Sequence, residues 1–93
     1  MMARYRKCPV EVEAHNWYRD GWLNAPDWYK AAEAKGTIRR CLEQHECLEI
    51  TTLEGTMIAR PHDWIIRGVK GELYPCRPDI FAETYELVEE PTP

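Results

Sequence analysis

Cys8, Val10, Val12 and Ala14 alternate with polar neighbours, a period of two that predicts a half-buried strand over residues 6–14, with Pro9 on the polar register marking an edge. Aromatic residues then crowd together. Trp17, Tyr18, Trp22 and Trp28 share a short stretch punctuated by Asp20-Gly21 and Asn24-Ala25-Pro26, both turn signals. Asn24 or Ala25 should precede a helix, with Pro26 in its first turn and Asp27 at its positive end. Trp28 to Lys35 is dense in Ala and other helix formers, and Gly36 is a natural stop, giving a helix of about ten residues.

Beyond Gly36 the pattern turns β-like. Strands are expected at residues 37–41, 47–53 and 56–59, the last two joined by a hairpin turn at Glu54-Gly55. Arg60-Pro61-His62-Asp63 reads as a turn. The apolar strand Trp64-Ile65-Ile66-Arg67 follows, then the loop Gly68-Val69-Lys70-Gly71 and a second hairpin arm over residues 72–76. Residues 78–81 look like a short helical turn, residues 84–88 like a final alternating strand, and residues 89–93 like a frayed tail. Short strands with frequent turns and one main helix predict an α+β fold, a small antiparallel sheet or partly closed barrel.

The chain has 93 residues, one domain's worth, and no apolar run approaching the roughly 20 residues of a membrane-spanning helix. So small a core leaves aromatic surface to share, so self-association into a homo-oligomer is expected. No secretory signal follows the basic start, which favours a cytoplasmic location and reads Cys8, Cys41, Cys47 and Cys76 as thiols rather than a disulfide framework. The net charge of −4 is uneven: residues 1–40 and 60–78 are net positive, while residues 41–59 and the tail from Asp79 carry acids and no base. An acidic total argues against duplex nucleic acid as a partner, although a small anion needs only two or three cations.

Candidate chemistry concentrates in the hairpin around residues 68–71. Its two glycines would let backbone amides approach an anion, Arg67, Lys70 and Arg77 would neutralise phosphates, and Trp64 and Tyr74 offer faces on which a base could stack. The plainer reading of the same residues is a turn with solvated charges and a Trp-Ile-Ile-Tyr core. Trp17, Trp22 and Trp28 divide similarly between helix packing and a ligand wall. Cys41, His45 and Cys47 have the donor types for zinc but not the spacing of a common finger, so no metal is assigned. His62 and Cys76 lack an orienting third group, Glu43, Glu46, Glu49 and Glu54 read as a solvent face, and no cofactor loop appears. The expectation is a non-enzymatic protein without a cofactor.

Residues 5–14 and the long run from Pro61 through Trp64-Ile65-Ile66-Arg67-Gly68-Val69-Lys70-Gly71 to Phe81, with the closing Thr84-Tyr85-Glu86, resemble a widespread family of small phage and prophage proteins. The resemblance departs at His62, where Gly is usual, so the positive-φ turn of the family is not expected there. It implies a phage protein of a family whose members mostly have no assigned function, and it is compatible with a role against host defence. Such a protein would sequester a cyclic nucleotide signal as a sponge or, alternatively, bind a host or phage protein through its aromatic face.

Overall fold

In the computed structural model, residues 2–5, 10–41 and 46–88 are described. Strand β1 (Glu13–Asn16) leads into a single-turn helix α1 (Trp17–Asp20), and helix α2 (Asp27–Lys35) follows. Strands β2 (Ile38–Arg40), β3 (Leu48–Thr52), β4 (Gly55–Ala59), β5 (Trp64–Arg67) and β6 (Leu73–Cys76) come next, and α3 (Pro78–Thr84) ends the regular structure. The fold is α+β. Instead of one sheet or a partly closed barrel there are two separate antiparallel sheets, in the orders β1-β5-β6 and β2-β3-β4. No helix among the described residues is long and apolar enough to cross a membrane.

Register decides which side chains each face presents. Pairing of Ile38 with Ile50, and of Leu48 with Arg40 and Ala59, puts Ile38, Leu48, Ile50 and Ala59 on one face of the second sheet, and all four are buried. In the first sheet, His15 pairs with Ile65 and Arg67 with Glu13 and Leu73, so these five share the face turned toward that same core. Tyr29 and Ala32 of α2 complete it together with Trp17. The opposite face carries Trp64, Ile66, Tyr74 and Cys76, and α3 covers it by stacking Phe81 on Trp64 at 4.2 Å between ring centroids. The first sheet is thus covered on both sides, which accounts for Ile65 and Ile66 being fully buried in succession. Burying each such isoleucine contributes roughly 1.5–3 kcal/mol. Pro75, which has no N–H, is accommodated because β6 is an edge strand.

Helix α2 begins at Asp27 with Pro26 immediately before it and ends at Gly36, whose φ of 84° returns its N–H to the carbonyls of Ala32 and Glu33. Three expectations need correction. The first strand starts only at Glu13, where β5 offers partners, and Val10 lies outside it and exposed; residues 6–9 lie outside the described residues. The final strand is absent: α3 runs to Thr84, and Tyr85 stacks on Phe81 instead of entering a ladder. The β3–β4 turn is Leu53-Glu54, one residue earlier than expected, because Thr52 pairs with Gly55, whose φ of 110° suits a glycine following such a turn.

Two further differences bear on the chemistry. Cys41 and Cys47 form a disulfide rather than two thiols. The β2–β3 ladder continues through a Cys41 N–H to Cys47 carbonyl bond, which sets the two residues opposite one another at a Cα separation of 5.4 Å, within disulfide range. An argument from cellular compartment could not see that register. His62 does adopt positive φ, 73°, in the Arg60–Asp63 turn. The turn is pinned from outside: Asn16 Nδ2 donates to the His62 carbonyl at 3.1 Å and Trp17 Nε1 to the Arg60 carbonyl at 3.1 Å. Asp63 closes it by accepting the Arg60 N–H at 2.9 Å. These bonds over-determine a backbone conformation that costs a non-glycine residue on the order of 1–2 kcal/mol.

Candidate ligand-binding groove

The five hairpin residues singled out from the sequence do not share one site. Trp64 and Tyr74 lie on the face covered by α3, where Trp64 is sandwiched between Phe81 and the Arg19 guanidinium, 5.1 Å from its ring. The Tyr74 hydroxyl meets that of Tyr85 at 3.4 Å, and burial raises its pKa. Arg67 lies on the opposite face. Arg77 precedes α3 and pairs with Asp79 at 3.3 Å, and Lys70 is exposed in the loop. Three of the four loop amides already have acceptors. Gly68 N–H donates to the Glu72 carbonyl, Gly71 N–H to the Gly68 carbonyl, and Lys70 N–H to the Glu72 carboxylate at 2.9 Å. Glu72 occupies the anion position that the glycines provide, packed so closely on Gly68 that a Cβ there would collide with its carboxylate.

Of the five, Arg67 alone lines a groove. A space of about 460 Å³ opens between α2, the end of β3 and the β5–β6 hairpin, within the range of small-molecule sites. Helix α2 contributes Trp28, Ala31, Ala32 and Lys35, whose i, i+3, i+4, i+7 spacing sets them in one stripe. Thr37 adds a hydroxyl, while that of Thr51 accepts from Arg39 Nη1 at 3.0 Å and that of Thr52 is taken up by the β3–β4 turn. Lys35 and Arg67 supply positive charge. Arg67 faces Glu13 at 3.5 Å, an exposed pair of little net energy that a ligand anion could replace at small cost. Glu72 also lines the groove, but its carboxylate accepts from the Lys70 amide.

One residue of the groove wall also carries a polar atom sealed from solvent. The indole Nε1 of Trp28 is buried and has no hydrogen-bond partner among the described residues. Such a group costs about 1–3 kcal/mol unless something accepts from it. Trp28 was weighed from the sequence, but Lys35 and the threonines were not. For Lys35 the signal is its i+7 spacing from Trp28 on one face of α2; the threonines, outside that helix, carry no such signal.

Other chemistry weighed from the sequence is dispersed. Cys41 and Cys47 are each other's partner, and His45 lies outside the described residues. The His62 ring packs edge-on against Tyr18 at 4.8 Å, while the Cys76 thiol sits by the Arg77 carbonyl. Burial pushes that thiol's pKa up, the reverse of an activated nucleophile. The chain matches no family model, no curated protein and no solved structure. Function therefore rests on the geometry of the site.

Proposed function

We propose that the protein is a non-enzymatic binder of a small phosphate-bearing ligand, held in the groove between α2 and the β5–β6 hairpin. The observation that carries this reading is the convergence of Lys35 and Arg67 on a groove walled by Trp28. Two cations answer a phosphate by charge-assisted bonds, Trp28 walls the groove beside them, and Thr37 brings a hydroxyl for sugar or phosphate oxygens. The resemblance of residues 61–81 to small phage proteins extends the reading to a cyclic nucleotide sequestered from a host defence pathway. A thermal-shift panel of cyclic di- and trinucleotides tests it. A ligand at 100 times its Kd stabilises by about 2.7 kcal/mol, roughly 10–20 °C in Tm for a chain of this size. No shift with any member would reject the nucleotide reading.

A second reading, docking of a host or phage protein on the aromatic face, draws on the exposure of Trp22 and Leu23, 52% and 84%. Self-association is part of the proposal, with the β3–β4 hairpin, which exposes Leu53 at its turn and Met57 and Ile58 on its two faces, as the element that a second copy would cover.

A further inference from the structure

A second cleft, of about 240 Å³, lies against a different stripe of α2. Its walls are aromatic: Trp17, Tyr18 and Trp22 from α1 and the turn after it, and Tyr29 from α2. Charged groups in and beside it are Glu33, Glu46, Arg40 and Lys30, two carboxylates against a guanidinium and an ammonium that an incoming cation would replace. Tyr18 and Trp22 are large aromatics left about half exposed, 42% and 52%, at a concave surface. The Trp22 ring already takes a cation, with Lys30 Nζ 4.6 Å from its centroid. Glu46 is bonded in sequence to Cys47 and Arg40 to Cys41, so the disulfide holds both margin residues in place. Tyr18 and Glu46 both line the cleft, and the nearby carboxylate raises the tyrosine pKa.

We propose that this cleft is a binding site for a small organic cation bearing a substituted ammonium head. Ring faces are electron-rich and attract a cation whose methyl groups also bury apolar surface, while Glu33 and Glu46 supply the counter-charge. The volume suits a trimethylammonium head with a short chain. It falls below the roughly 300–1,000 Å³ of sites for larger ligands. This site is independent of the phosphate groove: the two share no lining residue and favour ligands of opposite charge.

The experiment is a titration of the full chain with choline and, separately, with 3,3-dimethylbutan-1-ol, its neutral isostere, following the Trp22 indole N–H resonance. Choline is expected to shift that resonance saturably, with a Kd on the order of 1 mM. The neutral isostere should bind roughly five- to thirtyfold more weakly. Glu33→Gln with Glu46→Gln should weaken choline by a similar factor, whereas Arg67→Ala in the other groove should leave it unchanged. Trp22→Ala, at an exposed position that the fold does not need, should abolish the saturable effect on the remaining cleft resonances. Equal binding of choline and the isostere would overturn the proposal, as would a choline shift insensitive to the double Gln variant or the lack of any saturable shift.

Discussion

Asn16 ties two parts of the fold together, and replacing it measures the strength of that tie. Its Oδ1 caps α1 by accepting the Arg19 N–H at 3.1 Å, and its Nδ2 donates to the His62 carbonyl across 46 residues of chain. The residue is 5% exposed, so water does not readily replace either bond. Loss of an N-cap costs about 0.5–2 kcal/mol, and loss of a second hydrogen bond about 0.5–1.5. Asn16→Ala should therefore destabilise by about 2 kcal/mol, a fall in Tm of about 8–16 °C for a domain of this size. Asn16→Ser keeps a capping oxygen and loses the donor to His62, so about 1 kcal/mol is expected. In a His62→Gly background the cost of Asn16→Ala should shrink, because glycine holds the positive φ unaided. Urea denaturation of the four variants supplies the values. A loss below about 0.5 kcal/mol for Asn16→Ala, or equal losses for Ala and Ser, would refute this account of the junction.

Three other expectations concern the disulfide, a histidine and assembly. Reducing Cys41–Cys47, or replacing both with Ser, should cost about 2 kcal/mol, since the closed loop is short; alkylation of both cysteines in the native, air-oxidised protein would contradict the bond. Burial lowers the His15 pKa below 6.5, against the opposing effect of its bond to the Gly21 carbonyl, so the unfolded chain binds a proton before the folded one does. The stabilisation from a neutral His15 should be fully present above about pH 6.5 and should decline as pH falls through the folded-state pKa, with a slope between pH 7 and 5 that His15→Gln flattens. Light scattering at tens of micromolar should give more than the monomer's 11.0 kDa, and a monomer mass would remove the self-association proposal.

Much of the scaffold was legible because its signals are local. The stop at Gly36, the apolar run from Trp64 to Arg67 and the glycine-bounded hairpin each declare themselves within a few residues. Errors arose where a partner decides. Residues 84–88 alternate well, but the Phe81 ring of α3 captures Tyr85 before a strand can form. His62 takes positive φ because Asn16 and Trp17, more than 40 residues away, hold its turn. The site divided for the same reason. Trp64, Arg67 and Tyr74 are close in sequence, but strand alternation sends Arg67 to one face and the two aromatics to the other. Lys35 joins Arg67 only through the packing of α2 near the hairpin, a proximity that neither residue's neighbours in sequence could announce.

The central claim, an anion site built from Lys35, Arg67 and Trp28, is tested most directly by calorimetry. The cyclic nucleotide that gives the largest thermal shift would be titrated into the parent chain and into Lys35→Ala with Arg67→Ala. Both side chains lie at the groove margin, so the double variant should fold as the parent does. Each lost charge-assisted bond is worth about 1.5–3 kcal/mol, so affinity should fall by at least roughly a hundredfold, while Lys70→Ala with Arg77→Ala should change it little. Unchanged binding in the Lys35/Arg67 variant, or a loss confined to the Lys70/Arg77 pair, would contradict the account and return the site to the hairpin loop.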